Sequence, residues 1–105
     1  MTEWWGAIDG IFIKQMPLPK RDDVVIQHRH VWDHATMVAK GAVYVVREGG
    51  PSEAHEAPAM IHIIAGISHS FIALKDDTLL YCIHNLHGEQ AVKVLAEHGL
   101  AEGAT

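Results

Sequence analysis

A chain of 105 residues is long enough for one compact domain with its own core and too short for two of ordinary size, so a single domain over 1–105 is expected. Hydrophobic residues make up 49% and charged residues 20%, with a formal net charge of -5; this composition excludes disorder, and the scattered Lys and Arg give no basic footprint for nucleic acid or an anionic membrane. The lone cysteine, Cys82, excludes an internal disulfide and points to a cytoplasmic, reducing location, while Met1-Thr2-Glu3-Trp4-Trp5 lacks the pattern of a signal peptide and no segment reaches membrane-spanning length.

Trp4 and Trp5 read as packing or interface residues. Ile11-Phe12-Ile13 is a short apolar stretch, and Pro17 and Pro19 beyond it break regular structure. Val24-Val25-Ile26 is β-branched and predicts a strand running into Gln27-His28-Arg29-His30, where two histidines alternate with polar residues at the strand period. Thr36 to Ala39 and Ala42 to Val46 flank Lys40-Gly41 like a hairpin, ended by the turn signal Glu48-Gly49-Gly50-Pro51. Met60 to Ala65 and Phe71 to Leu74 predict two strands separated by Gly66, and Lys75-Asp76-Asp77 is a turn leading into a strand from Thr78 to His84. Within that last run Cys82 reads as a small buried hydrophobe. Short strands punctuated by turns predict an all-β sandwich or barrel. Only Glu89 to His98 predicts a helix, with Ala91, Val92, Leu95 and Ala96 on one stripe and Gly99 placed to end it.

Histidine stands out, with nine residues against eight Lys and Arg combined. His28 and His30, two apart on a strand, face the same way and can aim two imidazoles at one ion about 2.1 Å from each nitrogen. His34 lies four residues past His30, roughly 13 Å away in a straight strand, so the chain must bend near Val31-Trp32-Asp33 for His34 to join them. A zinc-protease helix is a poor rival, because Val24-Val25-Ile26 favours strand, a helix would rotate His28 off the face of His30 and His34, and Val31 stands where the protease base belongs.

These residues resemble the cupins, whose first motif runs from a paired His-x-His through an acidic ligand to a glycine. It reads here as His28-Arg29-His30-Val31-Trp32-Asp33-His34 with Gly41 at the expected distance, spanning 28–41. Pro58 through Gly66-Ile67-Ser68-His69 resembles the second motif, spanning 58–69. The resemblance implies an all-β cupin-type antiparallel barrel, or jelly roll, to which the short C-terminal helix expected from the residue pattern is added. It also implies one divalent transition metal per chain held by His28, His30, His34 and His69. The departures are His34 for the usual glutamate, Asp22 for the first glycine, Ile64 for the second-motif proline and Ala73 for its asparagine. An all-histidine set is similar to only some cupins, among them small manganese proteins and some dioxygenases. The segment from Ala73 to Asn85 also resembles small phage-encoded cupins.

Four neutral imidazoles leave the full dipositive charge on the ion, and they suit Fe, Mn, Ni, Cu or Zn rather than Ca or Mg. A six-coordinate ion would keep two positions open, which fits an oxygenase or isomerase acting on a small enolisable or hydroxy-keto compound. The other reading is a non-catalytic cupin that binds a small molecule or uses its metal to brace the fold. His34 is either a ligand or a pocket residue beside the ligands. His62 reads as a partly buried, satisfied histidine, and His84 and His87 are left open. A small-molecule ligand or substrate and a second copy of the chain, paired through the N-terminal segments, are the expected partners.

Overall fold

A computed structural model describes residues 2–26, 29–87 and 90–97. Among the described residues nine strands form two antiparallel sheets: β1 (Trp4–Ile8), β2 (Ile11–Leu18), β3 (Val24–Ile26), β4 (His34–Lys40), β5 (Ala42–Arg47), β6 (Glu53–Glu56), β7 (Ala59–Ile63), β8 (His69–Ala73) and β9 (Thr78–Asn85). One sheet runs β1-β2-β9-β4-β7 and the other β3-β8-β5-β6. A helix, α1 (Gln90–Glu97), follows the last of these strands, and no helix among the described residues is long and apolar enough to cross a membrane.

The alternation in β4, β8 and β9 sets the interior. Thr36 and Val38 on β4, Phe71 and Ala73 on β8, and Leu80 and Cys82 on β9 are all buried, because residues two apart on a strand share a face. Val38, Phe71, Ala73, Leu80 and Cys82 join Met16, Leu18, Val43, Val45, Ile61 and Ile63 in one apolar core between the sheets. Cys82 is buried there, its Sγ 3.8 Å from the Met16 sulfur, in keeping with its reading as a small hydrophobe.

The predicted hairpin around Lys40-Gly41 is not one. β4 pairs with β7 and β9, whereas β5 pairs with β6 and β8, so the glycine carries the chain from one sheet to the other. Gly41 has φ +80°, and a Cβ there would lie 2.9 Å from Thr78 Cα; only glycine supports both the left-handed backbone and that approach. Asp22, where the motif expects glycine, has φ +76°, a conformation that a short polar side chain tolerates better than most.

The expected break at Pro17 is also corrected, since β2 continues to Leu18 with Pro17 opposite Leu79. Pairing with β1 has ended at Gln15, so Pro17 lies where β2 has an open side and the missing N–H costs no ladder bond there. β1 and β6 are strands that sequence periodicity did not single out. In α1 Val94 is buried and Val92 is 65% exposed, so the helix turns a different stripe inward from the one expected. Glu89, His98 and Gly99 lie outside the described residues.

Val94 packs with Phe12 and Trp32, with Leu86 against them, in a second apolar cluster. This cluster joins α1 to the end of the barrel where β4 and β8 begin and β9 finishes. The histidines lie at that end.

Candidate metal centre

Three elements bring histidines to one end of the barrel. His34 opens β4, His69 opens β8, and His84 is penultimate in β9. Ala35 pairs with Ile83, so in an antiparallel register the preceding His34 meets the following His84 across the strands. Their rings stack 4.2 Å apart at 18°. His30 joins from the segment after β3, its ring 4.8 Å from His34 and 5.7 Å from His84. The backbone bends at Val31 and Trp32 before β4 starts, which is the change of direction that His30 and His34 require to approach each other.

Of the four expected ligands, then, His30, His34 and His69 are gathered at one barrel end, and all are buried. His28 lies outside the described residues. Among the described residues no three His, Cys, Asp or Glu side chains converge as a ready metal-binding group.

Hydrogen bonds distinguish the four rings. The Ile67 carbonyl, which can only accept, lies 2.9 Å from His69 Nδ1; Nδ1 therefore carries the proton and Nε2 keeps its lone pair. That Nε2 is buried without a hydrogen-bond partner, as are both ring nitrogens of His34. Burial holds the His34 pKa down to about 3, helped by repulsion from His84, His30 and His69, and burial also lowers that of His69. Neutral imidazoles with unsatisfied buried nitrogens are what a transition metal requires of its ligands, since a lone pair left orphaned in a protein interior is costly until something fills it. In protonation and in their unpartnered nitrogens, His34 and His69 are suited to ligate a metal.

His84 is different. Trp32 Nε1, a donor only, lies 2.9 Å from His84 Nδ1, so Nδ1 accepts and a neutral His84 carries its proton on Nε2. Such a ring presents a hydrogen-bond donor, not a ligand. Trp32 is thus more than packing: it is 8% exposed, donates to His84, and has its ring 4.9 Å from His30. Neither role shows in sequence spacing, because 52 residues separate Trp32 from His84.

Beside the cluster an open cleft of about 440 Å³ has His34, His84, Asp33, His62, Asn85 and His87 in its wall. This is within the range of small-molecule sites. His62 faces outward, its side chain 65% exposed, in contrast to the partly buried position expected. Its Nε2 is 2.8 Å from Asp33 Oδ2, while Asp33 Oδ1 accepts from Ala65 N–H at 2.8 Å. The Ala65 N–H bond, together with His62, holds the Asp33 carboxyl below its usual range.

No protein-family model matches the chain, and a comparison with curated proteins finds no match in sequence. Solved structures do match. KdgF from Halomonas sp. superposes with a TM-score of 0.69 at 19% identity, over 85% of this chain and 81% of that one. An RmlC-like cupin family protein with a double-stranded β-helix fold, from Methanocaldococcus jannaschii, gives 0.66 at 11% identity over 80% of each chain. The iron(II) form of HppE in complex with substrate gives 0.61 at 13% identity, over 71% of this chain and 45% of that one. At such identities the likeness carries the fold alone.

Proposed function

We propose that this chain, a cupin by its double-stranded β-helix fold, is a metal-binding protein that takes a small molecule at the histidine end of its barrel. Its ion is one of Fe, Mn, Ni, Cu or Zn, with His28, His30, His34 and His69 as ligands. The observation that carries this reading is the buried, unpartnered Nε2 of His69 together with the two unpartnered nitrogens of His34. Three further facts support it: the depressed pKa of both rings, the adjoining cleft, and the structural likeness to a protein whose structure holds iron(II) and substrate.

A divalent transition metal in such a set supplies Lewis acidity to a bound oxygen ligand. The protein's part is to exclude water with Phe12, Trp32 and Val94 and to offer the His84 Nε2–H as a donor beside the ligand rings. The Asp33–His62 pair in the cleft wall can hold or accept a proton from a bound molecule. With neutral ligands, an anionic small molecule is favoured, and oxygenase or isomerase chemistry on an enolisable or hydroxy-keto compound is the reaction class that fits.

Elemental analysis of untagged protein tests the reading. Near-stoichiometric Fe, Mn, Ni, Cu or Zn is expected, and protein purified in metal-replete medium that holds none and takes up none would refute it.

The second part of the proposal is self-association through the N-terminus. β1 is an edge strand, and Trp4, Trp5 and Ile8 on it are 55%, 45% and 80% exposed. An open strand edge flanked by large apolar side chains is a surface that pairing between copies would bury.

A further inference from the structure

The first motif lacks the carboxylate that its pattern expects, since His34 stands in that place, yet a carboxylate does reach the histidine cluster from elsewhere. Glu97, in the last turn of α1, has Oε2 3.2 Å from Nδ1 of the buried His30. An ionised carboxylate only accepts, so the contact keeps the proton of a neutral His30 on Nδ1 and leaves Nε2 with the lone pair. His69 is held in the same tautomer by the Ile67 carbonyl. Two histidines from opposite parts of the motif pattern are thus set with the proton on the same nitrogen, one by a backbone oxygen and the other by Glu97.

The helix is fastened for this task. Val94, three residues before Glu97, is fully buried against Phe12 and Trp32, and Trp32 in turn lies against His30 and donates to His84. Docking of α1 therefore fixes the position of the carboxylate and the plane of the ring it touches. Glu97 itself is about a third exposed, so its charge remains partly hydrated while its contact is made to a buried partner.

We infer that Glu97 is a positioning residue of the metal centre, which orients His30 and raises its basicity from outside the ligand set, with α1 as the element that delivers it. The inference rests on the metal reading. Carboxylate–histidine–metal arrangements are a recurrent way to fix ligand tautomer, and loss of the outer partner weakens metal affinity by about 10- to 100-fold.

The experiment uses the full chain and Co²⁺ as the probe, with affinity read by competition against a chelator and ligand geometry from the visible spectrum. Glu97→Ala should bind Co²⁺ about 10- to 100-fold more weakly than the wild type. Glu97→Gln, whose amide oxygen still accepts from Nδ1–H, should recover part of the loss. Nitrogen-15 NMR of the metal-free proteins should show the Nδ1–H tautomer of His30 in the wild type and a mixture in Glu97→Ala, and hydrogen exchange over α1 reports whether the helix stays docked. A Glu97→Ala protein that binds Co²⁺ as tightly as the wild type, or keeps the pure Nδ1–H tautomer, overturns the positioning role while leaving the metal reading intact. A wild type that takes no Co²⁺ overturns the metal reading and this inference together.

Discussion

Trp32 Nε1 donates to His84 Nδ1 at 2.9 Å, and this bond makes His84 a donor at the centre where His69 is left with a free acceptor. Trp32→Phe keeps most of the ring and removes the donor. It should destabilise the fold by about 1–3 kcal/mol, because a buried acceptor is left without its partner, and nitrogen-15 NMR should show His84 shifting from a pure Nε2–H tautomer to a mixture. An unchanged tautomer in the variant would show that something other than Trp32 fixes the ring.

The same contrast separates ligands from neighbours. His28→Ala and His69→Ala should each abolish stoichiometric metal and lower the melting temperature of protein supplied with metal, since binding to the native state alone adds stability by linkage. His84→Ala should retain the metal at reduced affinity. Full occupancy in the His69 variant, measured by elemental analysis, would remove it from the site, and a metal-free His84 variant would make His84 a ligand.

Acid should act on this centre in two ways. The His34 pKa is held down to about 3 in the fold, by burial first and by His84, His30 and His69 next, and that of His69 is lowered by burial, whereas both titrate near 6.5 in the unfolded chain. Between those values the unfolded state binds more protons, so stability rises with pH: it is fully present above about 6.5 and is lost progressively as pH falls towards 3. Melting of the metal-free protein should drop steadily below about pH 6, and the drop should be shallower in His34→Gln. Protons also compete with the ion, but burial keeps His34 neutral down to about pH 3 and lowers the His69 pKa, so metal should persist below pH 6 and leave only as the pH nears those lowered values or the fold is lost. Metal lost in full at pH 6 with the β signal in circular dichroism intact would contradict ligation by His34 and His69.

The fold class was legible because short apolar and β-branched runs punctuated by turn residues, such as Val24 to Ile26, Ala42 to Val46 and Thr78 to His84, do form strands, β3, β5 and β9. Pairing was less so. Lys40-Gly41 looks like a hairpin turn locally, and only the approach of Gly41 to Thr78, 37 positions on, shows why the chain changes sheets there. At the site, His30, His34 and His69 could be read from motif spacing. His84 and Glu97 could not, because strand register brings one and the docking of α1 on Phe12 and Trp32 brings the other.

Gly41 gives a test of that crossing. Gly41→Ala adds a Cβ at φ +80° against Thr78, while Gly49→Ala adds one at φ +69° with nothing within 4 Å. The left-handed backbone alone costs a non-glycine residue about 1–3 kcal/mol, so both variants should lose stability, and Gly41→Ala should lose clearly more because backbone must also shift. Urea denaturation measures both. Equal midpoints would mean that Thr78 yields freely and that the crossing is not constrained by close packing.

Association is the remaining expectation, and the exposures on β1 sharpen it. Trp5 has a partner in its own chain, stacked on Phe12 at 6.3 Å, and the Trp4 ring lies over Gly6, where a Cβ would sit 2.7 Å from it. Ile8, at 80%, is fractionally the most exposed of the large apolar residues on the strand. The intact chain should therefore be a dimer by light scattering at micromolar concentration. Ile8→Asp and the double variant Trp4→Ser, Trp5→Ser should shift it to monomer without loss of the β signal in circular dichroism, because an edge charge opposes strand pairing between copies. A monomeric mass for the intact chain would end the dimer proposal, and a dimer untouched by both variants would move the interface away from β1.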